Sequence, residues 1–217
     1  ARDRLMFSVY VSGTDTGIGK TLASCALLHA LRGHGLRVAG MKPVASGCER
    51  SDGEWKNADA LALQTAGEPD IAYADINPFA LEHPLAPELA ARDAGIEVSL
   101  LPILAAHARL SDHADALIIE GVGGWAAPLS ASMMQADIVR VLRLPVLLVV
   151  GLRLGCLNHA LLSARASAAD GAHLAGWIAS HVDPAMERVD DNLAMLRERL
   201  PAPCWGLLPH AEHPDPA

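Results

Sequence analysis

The chain has 217 residues, 51% of them hydrophobic but only 4% aromatic, and its formal net charge is −8. This length predicts one domain with a large aliphatic core, and residues 1–5 are set aside as a tail. The acidic balance without a basic run argues against a nucleic-acid-binding protein, and no stretch approaches the ~20 apolar residues of a membrane span.

The cysteine and histidine pattern predicts a cytoplasmic protein without a structural zinc site. The four cysteines, at positions 25, 48, 156 and 204, form no CxxC pair and no disulfide framework, which is typical of reduced thiols. The ten histidines are scattered along the chain. No secretory signal peptide is expected, because the apolar run at Val9–Val11 is too short.

A glycine-rich loop follows the first predicted strand. Met6–Val11 is apolar, Gly13–Thr21 reads GTDTGIGKT, and a helix is predicted from Lys20 to about residue 31. A strand, a glycine loop and a helix in this order form a phosphate cradle, in which Lys20 reaches the terminal phosphates and the Thr21 hydroxyl holds Mg2+. A strict P-loop has its first glycine at position 14, where this chain has Thr. An ordinary glycine turn therefore stays open as the alternative.

Short strands, loops and helices alternate over the next hundred residues. The predicted elements up to residue 113 are a strand at 37–41, loops at 42–47 and 69–87, a polar and mobile segment at 49–57, and helices at 59–66, 87–92 and 99–113. Ser99 is expected to cap the last of these helices.

A second nucleotide-binding element is predicted after the next strand. The apolar run at 116–119 leads to Glu120 and then to Gly121, Gly123 and Gly124. A buried strand that ends in a carboxylate and a glycine turn is typical of the element that holds Mg2+ in P-loop proteins, directly or through water. The alternative is a glutamate that is simply exposed at a turn.

The rest of the chain completes an α/β pattern. Helices are predicted at 133–143, 158–170 and 187–199, and strands at 146–150, 174–179 and 204–207. Apolar strands separated by helices predict a single-domain, mostly parallel β-sheet with helices on both faces, as in P-loop NTPases. Because ligands bind at the carboxyl ends of such strands, segments 14–21, 42–46 and 120–124 and Pro209 are expected to meet in one crevice.

Two of the three lysines, Lys20 and Lys42, follow predicted strands. Two cations beside a phosphate site suit phosphoryl transfer, in which charge must be stabilised. Taken singly, these residues have ordinary alternatives. Lys42 could be a surface residue, Asp59 a helix N-cap or first-turn acid, and Ser46 a turn residue.

Six segments together resemble the dethiobiotin synthetase family. They are GTDTGIGKT (13–21), KPVASG (42–47), NADALAL (57–63), EGVGGW (120–125), LPVLLVVGLRLGCLNHA (144–160) and LAGWIA (174–179). The similarity extends over nearly the whole chain. The resemblance implies an ATP- and Mg2+-dependent cyclo-ligase of biotin biosynthesis. It would convert 7,8-diaminononanoate, CO2 and ATP to dethiobiotin, ADP and phosphate, through a carbamate and a carbamic–phosphoric anhydride.

The resemblance also implies roles for individual residues. Lys42, Lys20 and Thr16 would be catalytic, and Mg2+ would be held by Thr21, Asp59 and Glu120. The nucleotide would contact Gly17, Ile18, Gly19, Lys20, Thr21, Leu22, Asp59, Glu120, Gly121, Val122, Gly123, Ser180, His181, Pro209, His210 and Ala211. The diamine would contact Lys42, Ser46, Gly123, Gly155, Cys156 and Asn158. A homodimer is implied, in which segment 155–159 of one subunit binds the carboxylate tail of the substrate held by its neighbour.

Three positions depart from the family pattern. Gly17 stands where some relatives have Glu, and Asn192 stands where relatives have a Tyr near the substrate tail. Ser180, followed by His181, stands where relatives have the Asn that reads the purine. Because Ser lacks the paired donor and acceptor of an amide, relaxed nucleotide selectivity is expected.

Two other kinds of P-loop protein are weighed against the ligase. A partitioning or positioning ATPase usually carries an extra lysine early in the glycine loop, where Ser12–Asp15 has none, and it often needs a membrane- or DNA-binding surface. A cobyrinate-type amide synthetase would bring a glutaminase domain with a cysteine nucleophile, which this length does not accommodate.

Overall fold

The centre of the molecule is a six-stranded parallel sheet. The computed structural model describes residues 7–211, so the expectation for residues 1–5 lies outside it. In chain order the elements are β1 (Phe7–Gly13), α1 (Lys20–Gly33), β2 (Val38–Met41), β3 (Val44–Ser46), β4 (Glu49–Ser51), β5 (Glu54–Lys56), α2 (Ala58–Ala66), α3 (Tyr73–Ile76), β6 (Phe79–Leu81), α4 (Pro87–Asp93), α5 (Leu100–His113), β7 (Ala116–Glu120), β8 (Pro128–Ser130), β9 (Met133–Met134), α6 (Gln135–Leu142), β10 (Val146–Leu152), α7 (Cys156–Ala169), β11 (Leu174–His181), α8 (Val189–Arg199) and β12 (Cys204–Leu208). The order in the main sheet is β12-β11-β10-β1-β7-β2.

Helices cover both faces of this sheet. Along β1 the side chains alternate, so that Val9 and Val11 pack with Leu28 of α1 while Tyr10 packs on the opposite face with α5 and α6. A third cluster joins β10 and β11, including Trp177, to α7 and α8. Burial of both faces explains why the central strands read as continuous apolar runs. The predicted fold class is confirmed.

The strand register brings the expected functional segments to one edge. β7 lies between β1 and β2, and its Ile119 pairs with both Tyr10 and Met41. The next residues along β7 and β2 are Glu120 and Lys42. The glycine loop after β1, Lys42 and Glu120 therefore start at the same carboxyl edge of the sheet.

Two predicted loops contain β-structure instead. Segment 49–57 was expected to be a loop, but β4 and β5 pair as an antiparallel hairpin. Its turn residues Asp52 and Gly53 have φ of 53° and 84°, as a two-residue hairpin turn requires. Segment 69–87 contains α3 and β6, and β6 pairs with β3 in a small parallel sheet. The pairing satisfies backbone groups that a proline-rich loop would leave to solvent.

Other boundaries move by a few residues. The helix predicted at 133–143 begins at Gln135, because Met133 and Met134 pair with β8. The helix predicted at 158–170 begins at Cys156, and the one at 187–199 begins at Val189. Ser99 occupies the N-cap position of α5, but its side chain makes no capping hydrogen bond, so the predicted cap is wrong in its chemistry.

Residues 7–211 contain neither a membrane-spanning helix nor a cluster of typical metal ligands. None of the helices in that range is long and apolar enough to cross a membrane. Within the same range there is no cluster of three or more His, Cys, Asp or Glu side chains that could hold a metal ion. All four cysteines are free thiols, and three of them are buried.

Candidate active site

The glycine loop curls back over the start of α1. Gly17 and Gly19 have φ of 69° and 84°, a region that favours glycine. Lys20 Nζ donates to the Asp15 carbonyl at 2.8 Å, and the Thr14 N–H donates to Val149 at 3.0 Å, which ties the loop to β10. Burial, helped by the nearby Lys42 cation, lowers the pKa of Lys20 to about 8. This backbone has the form of an anion cradle at a helix N-terminus.

Lys42 is a buried lysine held between two carboxylates. Its Nζ lies 2.6 Å from Glu120 Oε1 and 2.9 Å from Asp59 Oδ2, and the residue is 3% exposed. Burial opposes its charge, but the attraction of Glu120 and Asp59 raises the pKa of Lys42 above its ordinary value. For Asp59, burial opposes ionisation while Lys42 lowers the pKa. Lys42 is therefore a cation, and the surface alternative for it is wrong.

Glu120 is the most deeply buried of the three charged residues Lys42, Asp59 and Glu120. It is fully buried, so the alternative of an exposed turn residue is wrong. Its Oε1 accepts from Lys42 and, at 3.0 Å, from the Thr21 hydroxyl. Its Oε2 is buried and has no hydrogen-bond partner within the described part of the chain. A buried carboxylate oxygen without a donor is costly unless a cation or a ligand completes it.

Asn57 and Asn77 fix the backbone around Lys42 and Asp59. The Asn57 side chain caps α2 by accepting from Asp59 N at 3.0 Å, so Asp59 is the first-turn acid and not the cap. Asn57 also donates to the Ser46 carbonyl at 3.3 Å. Asn77 donates to the Lys42 carbonyl at 2.7 Å. Neither asparagine was predicted as a site residue, although an Asn directly before a helix is a capping signal.

A cavity of about 510 Å3 joins these groups. Thr16 and Gly123 are neighbours in its wall, since a Cβ on Gly123 would lie 3.6 Å from Thr16 Oγ1. The cavity is lined by Thr16, Gly17, Ile18, Gly19, Lys20, Thr21, Leu22, Lys42, Ala45, Ser46, Asn57, Ala58, Asp59, Ala62, Val122 and Gly123. Glu120 and Gly121 do not line it, and Glu120 lies behind Lys42.

The residues expected to hold the base lie beside the glycine loop, outside the cavity lining. Ser180 is 4% exposed, and its Oγ lies 2.7 Å from the point where a Cβ on Gly19 would sit. The His181 and His210 rings are 6.0 Å apart, and His210 Nδ1 lies 3.2 Å from the His181 carbonyl. Pro209 and Ala211 flank His210. The strand ends of β11 and β12 thus meet next to the phosphate cradle.

The expected tail-binding segment does not join the cavity within one chain. Gly155, with φ of 93°, is the N-cap of α7, and Asn158 is exposed. Cys156 is buried, its Sγ lies 3.8 Å from Asn192 Oδ1, and its N–H donates to Arg153 at 3.0 Å. The Cys156 side chain therefore faces inward, and its expected contact with the substrate stays a prediction.

Two further groups near the site were not predicted from the sequence. Arg153 forms an ion pair with Asp15 of the glycine loop. Gln135 hydrogen-bonds the backbone of Val122 and Gly124, which follow β7. Arg153 lies 138 residues from Asp15, and Gln135 belongs to none of the six segments, so no local pattern points to either contact.

The donor set fits a magnesium ion. Thr21 Oγ1 and Lys42 Nζ both donate to Glu120 Oε1, and Lys42 Nζ also donates to Asp59, so these three oxygen-bearing residues belong to one connected group. The Oε2 of Glu120 is a further carboxylate oxygen with no hydrogen-bond donor among the described residues. Mg2+ is commonly held by one or two carboxylates together with water and substrate phosphates, so a larger acidic cluster is not needed.

Comparisons with known proteins agree with this site. Residues 8–217 match the model of a family described as an AAA domain. The chain is 64% identical over 200 residues to an ATP-dependent dethiobiotin synthetase of Xanthomonas oryzae, covering 92% of this chain and 89% of the relative. It is 61% identical to the enzyme of that name from Xylella fastidiosa, with 93% and 89% covered.

Solved structures with low sequence identity share the fold alone. The MinC:MinD cell division complex of Aquifex aeolicus aligns with a TM-score of 0.57 at 13% identity, covering 95% of this chain and 82% of that chain. FtsY of Thermotoga maritima aligns with a TM-score of 0.50 at 19% identity, covering 99% and 67%. The similarity over nearly its full length to curated relatives decides the family: the chain belongs to the ATP-dependent dethiobiotin synthetases.

Proposed function

We propose that this enzyme uses ATP to close the ureido ring of dethiobiotin from 7,8-diaminononanoate and CO2, releasing ADP and phosphate. The observation that carries the proposal is the convergence of Lys20, Lys42, Thr16 and Ser46 on one cavity with Asp59. The switch-ATPase alternative has only the fold likeness to MinC:MinD at 13% identity in its favour, and that likeness carries no function.

The main requirement of the proposed reaction is for positive charge that stabilises its anionic reactants. One substrate amine adds to CO2 and loses a proton to give a carbamate, whose oxygen attacks the γ-phosphorus and displaces ADP. The second amine then attacks the carbonyl carbon of the mixed anhydride, which closes the ring and expels phosphate. Because carbamate and γ-phosphate are both anionic, Lys42 and Lys20 would offset their repulsion and hold them in line, with Thr16 beside them.

Thr21, Asp59 and Glu120 are the residues we assign to Mg2+. The metal supplies charge neutralisation at the phosphates. Lys42 cannot share both carboxylates with a divalent cation, since its Nζ already lies within 2.9 Å of each. Its ammonium is then available to the anionic substrates in the cavity.

Nucleotide selectivity is expected to be relaxed. A short, buried Ser180 hydroxyl stands where relatives have an amide that reads the purine edge, with the His181 and His210 rings nearby. A base other than adenine therefore leaves fewer buried polar groups without a hydrogen bond. We expect kcat/KM for ATP, GTP and CTP to differ by less than roughly 100-fold, and Ser180→Asn to widen the preference for ATP. Steady-state turnover with the three nucleotides measures this, and strict use of ATP by the wild type would contradict it.

We further propose a homodimer in which segment 155–159 completes the neighbour's substrate site. Leu154 beside it is 96% exposed and Leu162 on the same helix is 54% exposed, which gives α7 an apolar outer surface. Its first turn can bind a carboxylate through backbone N–H groups and the exposed Asn158.

A charge at the proposed interface should separate the subunits. We expect Leu154→Glu to sediment as a monomer and to lose roughly 100-fold in diamine-dependent turnover, because a buried unpaired charge is costly and the tail site is then incomplete. ADP affinity, measured by calorimetry, should stay within about threefold of the wild type. Leu101→Glu, at another exposed leucine (78%), is the matched control. A monomeric wild type with full activity would refute the shared site.

The cytoplasm is the proposed location. The four free thiols are typical of a reducing compartment, and ATP is available there. The proposed partners are small molecules and a second copy of the chain, with no nucleic acid and no membrane.

Isotope incorporation tests the proposed reaction. The enzyme is supplied with 13C-bicarbonate, MgATP and 7,8-diaminononanoate, and the product is analysed by mass spectrometry. We expect dethiobiotin that carries the label in its ureido carbonyl, with ADP formed in equal amount. Unlabelled product, or ADP without product, would refute the ring-closing reaction.

A further inference from the structure

The buried side-chain amide of Gln135 holds the loop after β7, residues 121–124, by hydrogen bonds to its backbone. Gln135, the first residue of α6, is 1% exposed. Its Oε1 accepts from the Tyr10 hydroxyl at 2.6 Å and from Val122 N at 2.9 Å. Its Nε2 donates to the carbonyls of Val122 at 2.8 Å and Gly124 at 2.6 Å. Both ends of the amide are satisfied, and its orientation is fixed by the Val122 N–H, which can only donate, and by the two carbonyls, which can only accept.

Tyr10 completes this arrangement as a donor. It is 1% exposed, and burial together with the negative charge of Glu120 raises its pKa, so the hydroxyl keeps its proton. Position 121, which packs against both side chains, has no room for a residue larger than glycine. A Cβ on Gly121 would collide with the Gln135 amide oxygen and would lie 2.7 Å from Tyr10 Oη. Gly121 thus lets the backbone sit directly on the Tyr10–Gln135 pair.

The same loop also forms part of the wall of the proposed active-site cavity. Glu120 precedes it, while Val122 and Gly123 line the cavity, with Gly123 next to Thr16. The segment Gly121–Gly124 has three glycines in four residues, so it has few side chains of its own to hold its backbone in place. Hydrogen bonds from outside the loop must set its position. Three of them are made by the Gln135 amide, which also accepts from Tyr10.

We propose that Gln135, oriented by Tyr10, is a positioning residue for catalysis that sets the cavity wall formed by Val122 and Gly123. This inference rests on the proposed ring-closing function for its kinetic effect. A displacement of reacting groups by about 1 Å can cost roughly 100-fold in rate, which is the scale of effect that a misplaced wall could have.

The test compares Gln135→Met, which keeps size and removes the hydrogen bonds, with Gln64→Met. Gln64 is the matched control because its amide also holds a carbonyl, that of Ile71 at 3.0 Å, and it does not line the cavity. We expect Gln135→Met to lower kcat roughly 10- to 100-fold with the KM for MgATP within about threefold. Tyr10→Phe should lower kcat less, and adding it to Gln135→Met should cause no further loss. Gln64→Met is expected to leave kcat unchanged even where the melting temperature shifts.

Hydrogen exchange gives a second readout that does not depend on turnover. The Val122 amide, freed from Gln135 Oε1, should exchange roughly tenfold faster or more in Gln135→Met, with no such change in Gln64→Met. If the wild type shows no diamine-dependent turnover, the proposed function fails and exchange alone decides the loop's dependence on Gln135. A lower melting temperature with unchanged kcat and unchanged exchange at residues 121–124 would overturn the inference.

Discussion

Replacing Lys42 by Met is expected to lower diamine-dependent phosphate release by roughly 100- to 1000-fold, the usual cost of removing a preorganised charge from a transition state. Methionine keeps most of the apolar stem of lysine and removes the cation. Lys56→Met is the matched control, because Lys56 makes a surface pair with Asp52 at 3.6 Å and does not line the cavity. Activity of Lys42→Met within about tenfold of Lys56→Met would remove Lys42 from the catalytic group.

The same substitution should strengthen metal binding in the absence of nucleotide. In the ligand-free enzyme Lys42 Nζ lies between Asp59 and Glu120, so a divalent cation must displace an ammonium to reach both carboxylates. Lys42→Met removes that competitor. We expect tighter binding of Mn2+ as a probe, by roughly tenfold, measured by electron paramagnetic resonance. Weaker or unchanged binding, with Lys56→Met as reference, would show that the two carboxylates do not form the metal site.

Replacing Glu120 by Ala is expected to lower the free energy of unfolding by about 3–5 kcal/mol. Glu120 is fully buried, and its removal leaves the nearly buried Lys42 cation with only Asp59, whose side chain is 45% exposed. Removal of one partner from a buried ion pair costs this much because the other charge is left uncompensated. Urea unfolding with unchanged m-values measures the effect.

Two further variants separate this charge effect from loss of packing. Asp59→Ala removes the half-exposed partner and should cost less than about 1 kcal/mol, as partly exposed pairs do. Lys42→Met/Glu120→Ala removes both buried charges and should recover most of the stability lost in Glu120→Ala. If the double variant is no more stable than Glu120→Ala, the loss comes from the cavity left by the side chain and not from the charge.

The sheet and the phosphate cradle could be predicted because their signals are local. An apolar run, GTDTGIGKT and an Ala- and Leu-rich segment lie next to one another, and the strand rule places Lys42 and Glu120 at the same edge. The hairpin of β4 and β5 carried an Asp52-Gly53 turn signal, but its strands are three residues long and too polar for a periodic pattern. For this hairpin the Asp-Gly turn residues indicate the structure better than the hydrophobic pattern of its strands does.

Contacts between distant parts of the chain could not be predicted. The ion pair of Lys42 with Glu120 joins residues 78 apart, and the hydrogen bond of Tyr10 to Gln135 joins residues 125 apart. A single glutamine carries no motif, and its burial depends on how α6 meets β7. The sequence therefore indicated which residues carry charge in the site, while the groups that position them came only from the packed structure.

Phosphate release from MgATP, with and without 7,8-diaminononanoate and bicarbonate, tests the central claim most directly. Wild type, Lys42→Met and Lys56→Met are compared, and the product is identified by mass. We predict release that requires the diamine, forms dethiobiotin, persists in Lys56→Met and is lost in Lys42→Met. Phosphate release that is the same with and without the diamine, or that is stimulated by lipid or DNA, would contradict the ligase assignment and favour a switch ATPase.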